Sequence, residues 1–221
     1  MPLPRTNAKV DVIKTSKAKS KTSYSVGAFT LMELLVTITV IAILMALLFP
    51  AFRGVQDLAK NTEAKNNITQ IVTAVTAYHT DYGKYPMSND LADITVDGLN
   101  GNTNDKLFNG LRGQDSSVNP KNIVFMSPPA VKDDKNPRSG ISGMDGQYYD
   151  PWGTPYVIRM DTTYDNLVAP NPYQANAGFT TNVNAGVIAW SFGKDRQSDS
   201  VPGPANDKKT GTNGDDVISW Q

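Results

Sequence analysis

From Phe29 to Phe49 the chain carries a single charged side chain, Glu33, in a run that is otherwise apolar or hydroxyl-bearing. A helix of about 21 residues rises ~30 Å, the thickness of a bilayer's hydrocarbon core, so the run reads as a membrane-spanning helix. A carboxylate inside such a helix costs ~2.5–3.5 kcal/mol on insertion scales, so Glu33 calls for a partner or a task. Upstream, Arg5, Lys9, Lys14, Lys17, Lys19 and Lys21 against Asp11 leave residues 1–28 net positive. The whole chain balances 21 basic against 21 acidic side chains, so the remainder is net negative to the same extent. This asymmetry places the amino terminus in the cytoplasm and the remainder across the membrane. A secretory signal peptide would end in a small-residue cleavage site, and Phe49-Pro50-Ala51-Phe52 offers none. The apolar segment is therefore read as part of the working protein.

The stretch Ala28-Phe29-Thr30-Leu31-Met32-Glu33-Leu34-Leu35-Val36, followed by Pro50, resembles the amino-terminal signature of the type IV pilin and type II secretion pseudopilin superfamily. The resemblance implies that a prepilin peptidase cuts between Ala28 and Phe29, with Ala28 standing where the family usually has Gly, and methylates the new amine. Glu33 then becomes fifth and Pro50 twenty-second in the mature chain, the positions those residues hold in the family. Three segments follow from it: a cleaved basic leader (1–28), the transmembrane half of a long helix (29–52), and a periplasmic pilin-like head that includes the amphipathic half (53–221). In this reading Glu33 neutralises the Phe29 amine of a neighbouring subunit. Opposite charges attract strongly in low dielectric but are expensive to desolvate alone, so the pairing selects one stagger of helices. The alternative is a Glu33 that is merely hydrated at the membrane boundary.

One long helix is expected from Thr30 to about Asp81, with Val55, Leu58, Ile68, Ile71, Val72, Val75 and Tyr78 recurring at three- and four-residue steps. Pro50 removes a backbone donor within it and predicts a kink or loosened turn. Gly83 and Pro86 supply the stop. From Met87 to about Gln147 the chain is polar and rich in Asn, Asp, Gly and Ser, with a short helix expected near Asp105–Arg112 and irregular structure elsewhere. Strands are expected at Tyr156–Met160, Asn166–Val168, Val187–Phe192 and Val217–Trp220, where β-branched and aromatic residues lie between turn formers. The fold class is thus α+β: a long helix with a small antiparallel sheet across its amphipathic half.

Two further stretches carry the resemblance. Asp150-Pro151-Trp152-Gly153-Thr154-Pro155-Tyr156 is similar to the Asp-Pro-Trp-Gly-x-Pro-Tyr box of major pseudopilins, and its prolines, glycine and aromatics suit a structural turn. Trp152 as a sugar-stacking platform is the rival reading. Ser191-Phe192-Gly193-Lys194-Asp195 and Asp216-Val217-Ile218-Ser219-Trp220 resemble the flanks of that family's calcium loop. The resemblance implies Ca2+ held by Asp195 and Asp216, with Asp215 and Asp199 nearby and backbone carbonyls completing an oxygen shell. The loop is longer than the family's and contains Pro202 and Pro204, so the alternative is a solvated acidic loop flanked by Lys194, Lys208 and Lys209.

There is no cysteine, which excludes disulfides and thiolate chemistry, and no basic face to support nucleic-acid binding. His79 is the one histidine, with no nucleophile spaced to meet it, and no enzyme site is suggested. The resemblance implies a major-type pseudopilin: a homopolymer, stored in the bacterial inner membrane with its head in the periplasm, working with minor pseudopilins and an inner-membrane assembly platform to drive protein secretion. The alternatives are a surface type IV pilin and a single-pass anchored binding module that never polymerises.

Overall fold

In the computed structural model, which describes residues 29–87, 92–98, 103–173, 176–178, 181–197, 207–209 and 211–221, the apolar run opens one helix, α1 (Leu31–Tyr82). The helix assignment passes through Pro50 without interruption. At its end, Gly83 turns to φ 68°, which glycine adopts without Cβ strain, and its amide donates to His79 O at 2.8 Å. The Lys121 ammonium adds a cap, donating to Asp81 O at 3.0 Å while lying over the Tyr82 ring.

Contacts divide the chain into a unit ending at Leu48 and a second, Phe49–Gln221. In the first, every described side chain from Leu31 to Leu48 is exposed, and the helix is long and apolar enough to cross a membrane by length and composition. Its hydroxyls are satisfied within the helix: Thr37 and Thr39 donate to Leu34 O and Val36 O, each at 2.8 Å.

In the second unit α1 is amphipathic. Ile68, Ile71, Val75 and Tyr78 are fully buried along one stripe. They meet an antiparallel sheet formed by β1 (Ile94–Val96), β4 (Val157–Met160), β5 (Val187–Ser191) and β6 (Val217–Ile218), in the spatial order β1-β4-β5-β6. The register pairs Val157 with Trp190 and Met160 with Val187. Because side chains alternate along a strand, Ile158, Met160, Val187 and Ala189 join the α1 core. Val157, Ile188, Trp190 and Ile218 face away into a second core with Val168, Tyr173, Val183 and Phe192. Both faces of the central strands are therefore buried, with each large apolar side chain contributing about 1.5–3 kcal/mol.

The polar middle stretch is more ordered than its composition suggests. The helix α2 (Asp105–Leu111) sends Leu107, Phe108 and Leu111 into the α1 core. Residues β2 (Gly140–Ile141) and β3 (Tyr148–Tyr149) pair as a second, two-stranded sheet. Buried amides hold these pieces. Asn104 donates to Tyr148 O and Tyr156 O and accepts from Tyr148 N, while Asn119 donates to Gly110 O and Ile123 O and accepts from Tyr82 OH. Satisfied amides of this kind order a chain without any apolar periodicity.

Two expectations are corrected. Asn166–Val168 is not a strand; Val168 forms one isolated bridge with Val183 because the loop there only covers the sheet's second face. Val55 and Leu58 share the stripe's spacing but are exposed, 64% and 66%, because the described sheet packs on α1 only further along.

Candidate functional sites: a capped acid and an acidic loop

Glu33 sits in the first turn of α1 and closes a capping box with Thr30. The Thr30 amide and hydroxyl donate to Glu33 Oε2 at 3.0 and 2.9 Å, and the Glu33 amide donates back to Thr30 Oγ1 at 3.2 Å. The acid thus satisfies orphan donors at the positive end of the helix dipole. This local role was missed in the sequence reading, although Thr-x-x-Glu before an apolar run is its recognised signal. Phe29, just outside the helix, is exposed. Ala28, the leader and Asp199 lie outside the described residues.

The structure brings Asp195, Asp215 and Asp216 together: each offers a carboxylate oxygen, and these lie within 4.8 Å of one another. Convergence begins where β5 ends. Gly193 has φ 67°, and a Cβ there would stand 2.4 Å from Asp215 O, so only glycine lets the two loop arms approach so closely. Asp215 Oδ2 accepts the amides of Lys194 and Asp195, at 2.5 and 2.9 Å, fastening one arm to the other. Asp195 Oδ1 takes the Gln197 amide in a local turn. The same arm is tied to α1 by an ion pair between Lys194 and Asp57 at 2.7 Å. On the other arm, the Lys65 ammonium donates to Ile218 O and Gln221 O, each at 2.6 Å.

Asp216 is the buried member. Tyr173 OH donates to its Oδ2 at 2.5 Å, while its Oδ1 is buried with no hydrogen-bond partner among the described residues. Burial pushes this carboxyl up to about 7, with the charges of Asp215 and Asp195 adding to the rise and the Tyr173 bond and Lys208 opposing it. A carboxyl raised in the fold contributes stability that is complete below the ordinary aspartate range and lost as pH climbs through the folded value. In chelator, the stability contributed by Asp216 is therefore expected to fall between pH ~4 and pH ~7, and Asp216→Asn to flatten that slope in thermal melts. Sequence reading did not find Tyr173, which reaches Asp216 from 43 residues away through a loop with no regular pattern.

The Asp-Pro-Trp-Gly box is a folded turn rather than an open platform. Asp150 is fully buried; its Oδ1 accepts the amides of Trp152, Gly153 and Thr154, and its Oδ2 accepts the Ser191 hydroxyl. Trp152 is itself buried, which removes its face from sugar stacking. His79 stacks on Tyr85 with ring centroids 4.4 Å apart.

No protein-family model matches the chain, and no solved structure matches it. Among curated proteins, the type II secretion system core protein G of Pseudomonas aeruginosa is 35% identical over 83 residues, which are 38% of this chain and 58% of that protein. The chain thus spans somewhat over half the length of this curated relative. An apolar helix opened by Phe-Thr-Leu-Met-Glu, a small antiparallel sheet on its amphipathic half, and this stretch of identity with a type II secretion core protein together make the chain pseudopilin-like.

Proposed function

We propose that this chain is the repeating structural subunit of a pseudopilus, stored in the inner membrane through the first half of α1 and polymerised in the periplasm to drive type II secretion. The observation that carries this reading is the apolar face itself. Exposure does not stop at the end of the span: Phe52, Val55 and Leu58 are 62–66% exposed and extend the apolar surface of α1 past the length a bilayer requires. Helices of neighbouring subunits would cover that surface, and since the backbone bonds of α1 are internal, lipid and protein can exchange around it. Removal of residues 1–28 by a prepilin peptidase would free the Phe29 amine, methylated by family resemblance, to meet Glu33 of the next subunit. Minor pseudopilins and an inner-membrane assembly platform are the further partners that the resemblance brings. The intact mass of membrane-extracted protein is expected to correspond to a chain beginning at Phe29. A retained leader would instead favour a single-pass anchor that does not polymerise.

Calcium at the acidic loop belongs to the same proposal. Calcium binds oxygens at 2.3–2.6 Å, so one ion's shell is ~5 Å across and accommodates carboxylate oxygens spaced as these are. Asp216 Oδ1, buried and without a partner among the described residues, supports the fit, since a buried acceptor left unpaired is costly. Asp195, Asp215 and Asp216 would hold the ion, and the ion would supply the positive charge that lets the two arms stay together. Asp195→Ala is expected to lower the melting temperature in saturating calcium by about 5 °C or more and to change it much less in chelator, where the lost bond to the Gln197 amide and the relieved carboxylate repulsion oppose each other. Equal melting of both proteins in both conditions would remove calcium from the account.

A further inference from the structure

We infer that Lys208 is a tethered counter-cation for the Asp195–Asp215–Asp216 cluster, stabilising the loop when no divalent ion is present and weakening the binding of one when it is. The inference rests on the reading of that cluster as a cation site.

Lysines are rarely buried unless paired, yet Lys208 is only 9% exposed. It lines a cavity of about 450 Å³ together with Lys65, Gly214, Asp215 and Asp216. Its Nζ donates to Asn213 O at 3.2 Å, and the same carbonyl accepts the Asp216 amide at 3.3 Å. The ammonium therefore shares an acceptor with the residue that carries the orphaned carboxylate oxygen. It stops short of a direct ion pair: among the described residues, no carboxylate lies within 4.0 Å of it. Burial disfavours its charge, while Asp216 and Asp215 favour it. The second ammonium in the cavity, Lys65, is committed to Ile218 O and Gln221 O. Of the two ammoniums among the described residues lining the cavity, Lys208 is the one held on the carbonyl that also accepts the Asp216 amide.

Two consequences follow from Coulomb's law. Without a metal, the ammonium offsets part of the repulsion among three carboxylates, so the loop stays closed. With a divalent ion in the cluster, the same ammonium repels it, so the site is weaker than its three carboxylates alone would make it. Even at the dielectric of water, ~80, the repulsion between a unit charge and a divalent ion ~6 Å apart makes removal of the charge worth roughly a tenfold gain in calcium affinity, and a lower dielectric makes it larger.

The test uses the full-length chain in detergent micelles, with calcium chloride titrated calorimetrically and thermal unfolding followed in calcium and in chelator. Lys208→Gln keeps a donor for Asn213 O and removes the charge, while Lys208→Arg keeps the charge. The expected result is calcium binding roughly tenfold tighter in Lys208→Gln, with a lower melting temperature in chelator, and near-parental values in Lys208→Arg. Equal calcium affinity in the parent and Lys208→Gln overturns the role of Lys208 and leaves the calcium site standing. Binding by Lys208→Gln alone supports Lys208 as the occupant and overturns calcium for the parent chain. No binding by either overturns both. Failure of Lys208→Gln to fold even in saturating calcium also overturns the inference, because the ion is then not replacing the lost charge.

Discussion

Asp150→Ala is expected to cost the head about 3–5 kcal/mol, enough to unfold much of the population at moderate temperature. The magnitude follows from the number of donors stranded. Three backbone amides in the Asp-Pro-Trp-Gly turn and the Ser191 hydroxyl all end on this one buried carboxylate, and water cannot replace it there. The damage would also spread, because Ser191 Oγ in turn accepts the Gly193 amide at the start of the acidic loop. Burial holds the Asp150 carboxyl above the ordinary aspartate range, and its hydrogen bonds to Ser191, Thr154, Trp152 and Gly153 oppose that rise. Asp150→Asn keeps an acceptor for the three amides and is expected to lose only about 1 kcal/mol. Urea denaturation of the two variants separates these outcomes; similar stability of Asp150→Ala and the parent would mean that the turn does not depend on the carboxylate.

Glu33→Gln is expected to reduce filament yield at least tenfold while leaving the subunit folded and inserted. Gln closes a capping box about as well as Glu, so Thr30 retains its partner and the start of α1 is preserved. What is lost is the negative charge that the proposed pairing with the next subunit's terminal amine requires. The variant therefore isolates assembly from helix capping. Filaments as abundant as the parent's would assign Glu33 to capping alone and leave the amine pairing without support.

How far the fold could be read from sequence depended on whether the signal was periodic. The long helix, α2 and the strands β4, β5 and β6 follow from apolar spacing and turn formers, and the structure places each within a few residues of expectation. β1 was invisible because three residues centred on Thr95 sit in polar surroundings, and the pairing of β2 with β3 because two-residue strands have no period to detect. Val55 and Leu58 show a different limit. Periodicity says which side chains share a face of a helix, but not whether anything covers that face. The acidic site divides in the same way. The three aspartates lie on two recognisable flanks and Lys208 was expected beside them, whereas Tyr173 reaches the cluster through a loop whose course only the tertiary fold fixes.

The central claim is that the exposed apolar surface of α1 is covered by other copies of this chain. Electron cryo-microscopy of membranes from cells that produce the protein together with a prepilin peptidase and an assembly platform tests it most directly. The account predicts filaments whose core is built of α1 helices, with Phe29 of one subunit beside Glu33 of the next. Subunits that remain dispersed in the bilayer, or filaments in which α1 lies outside the core, would contradict it.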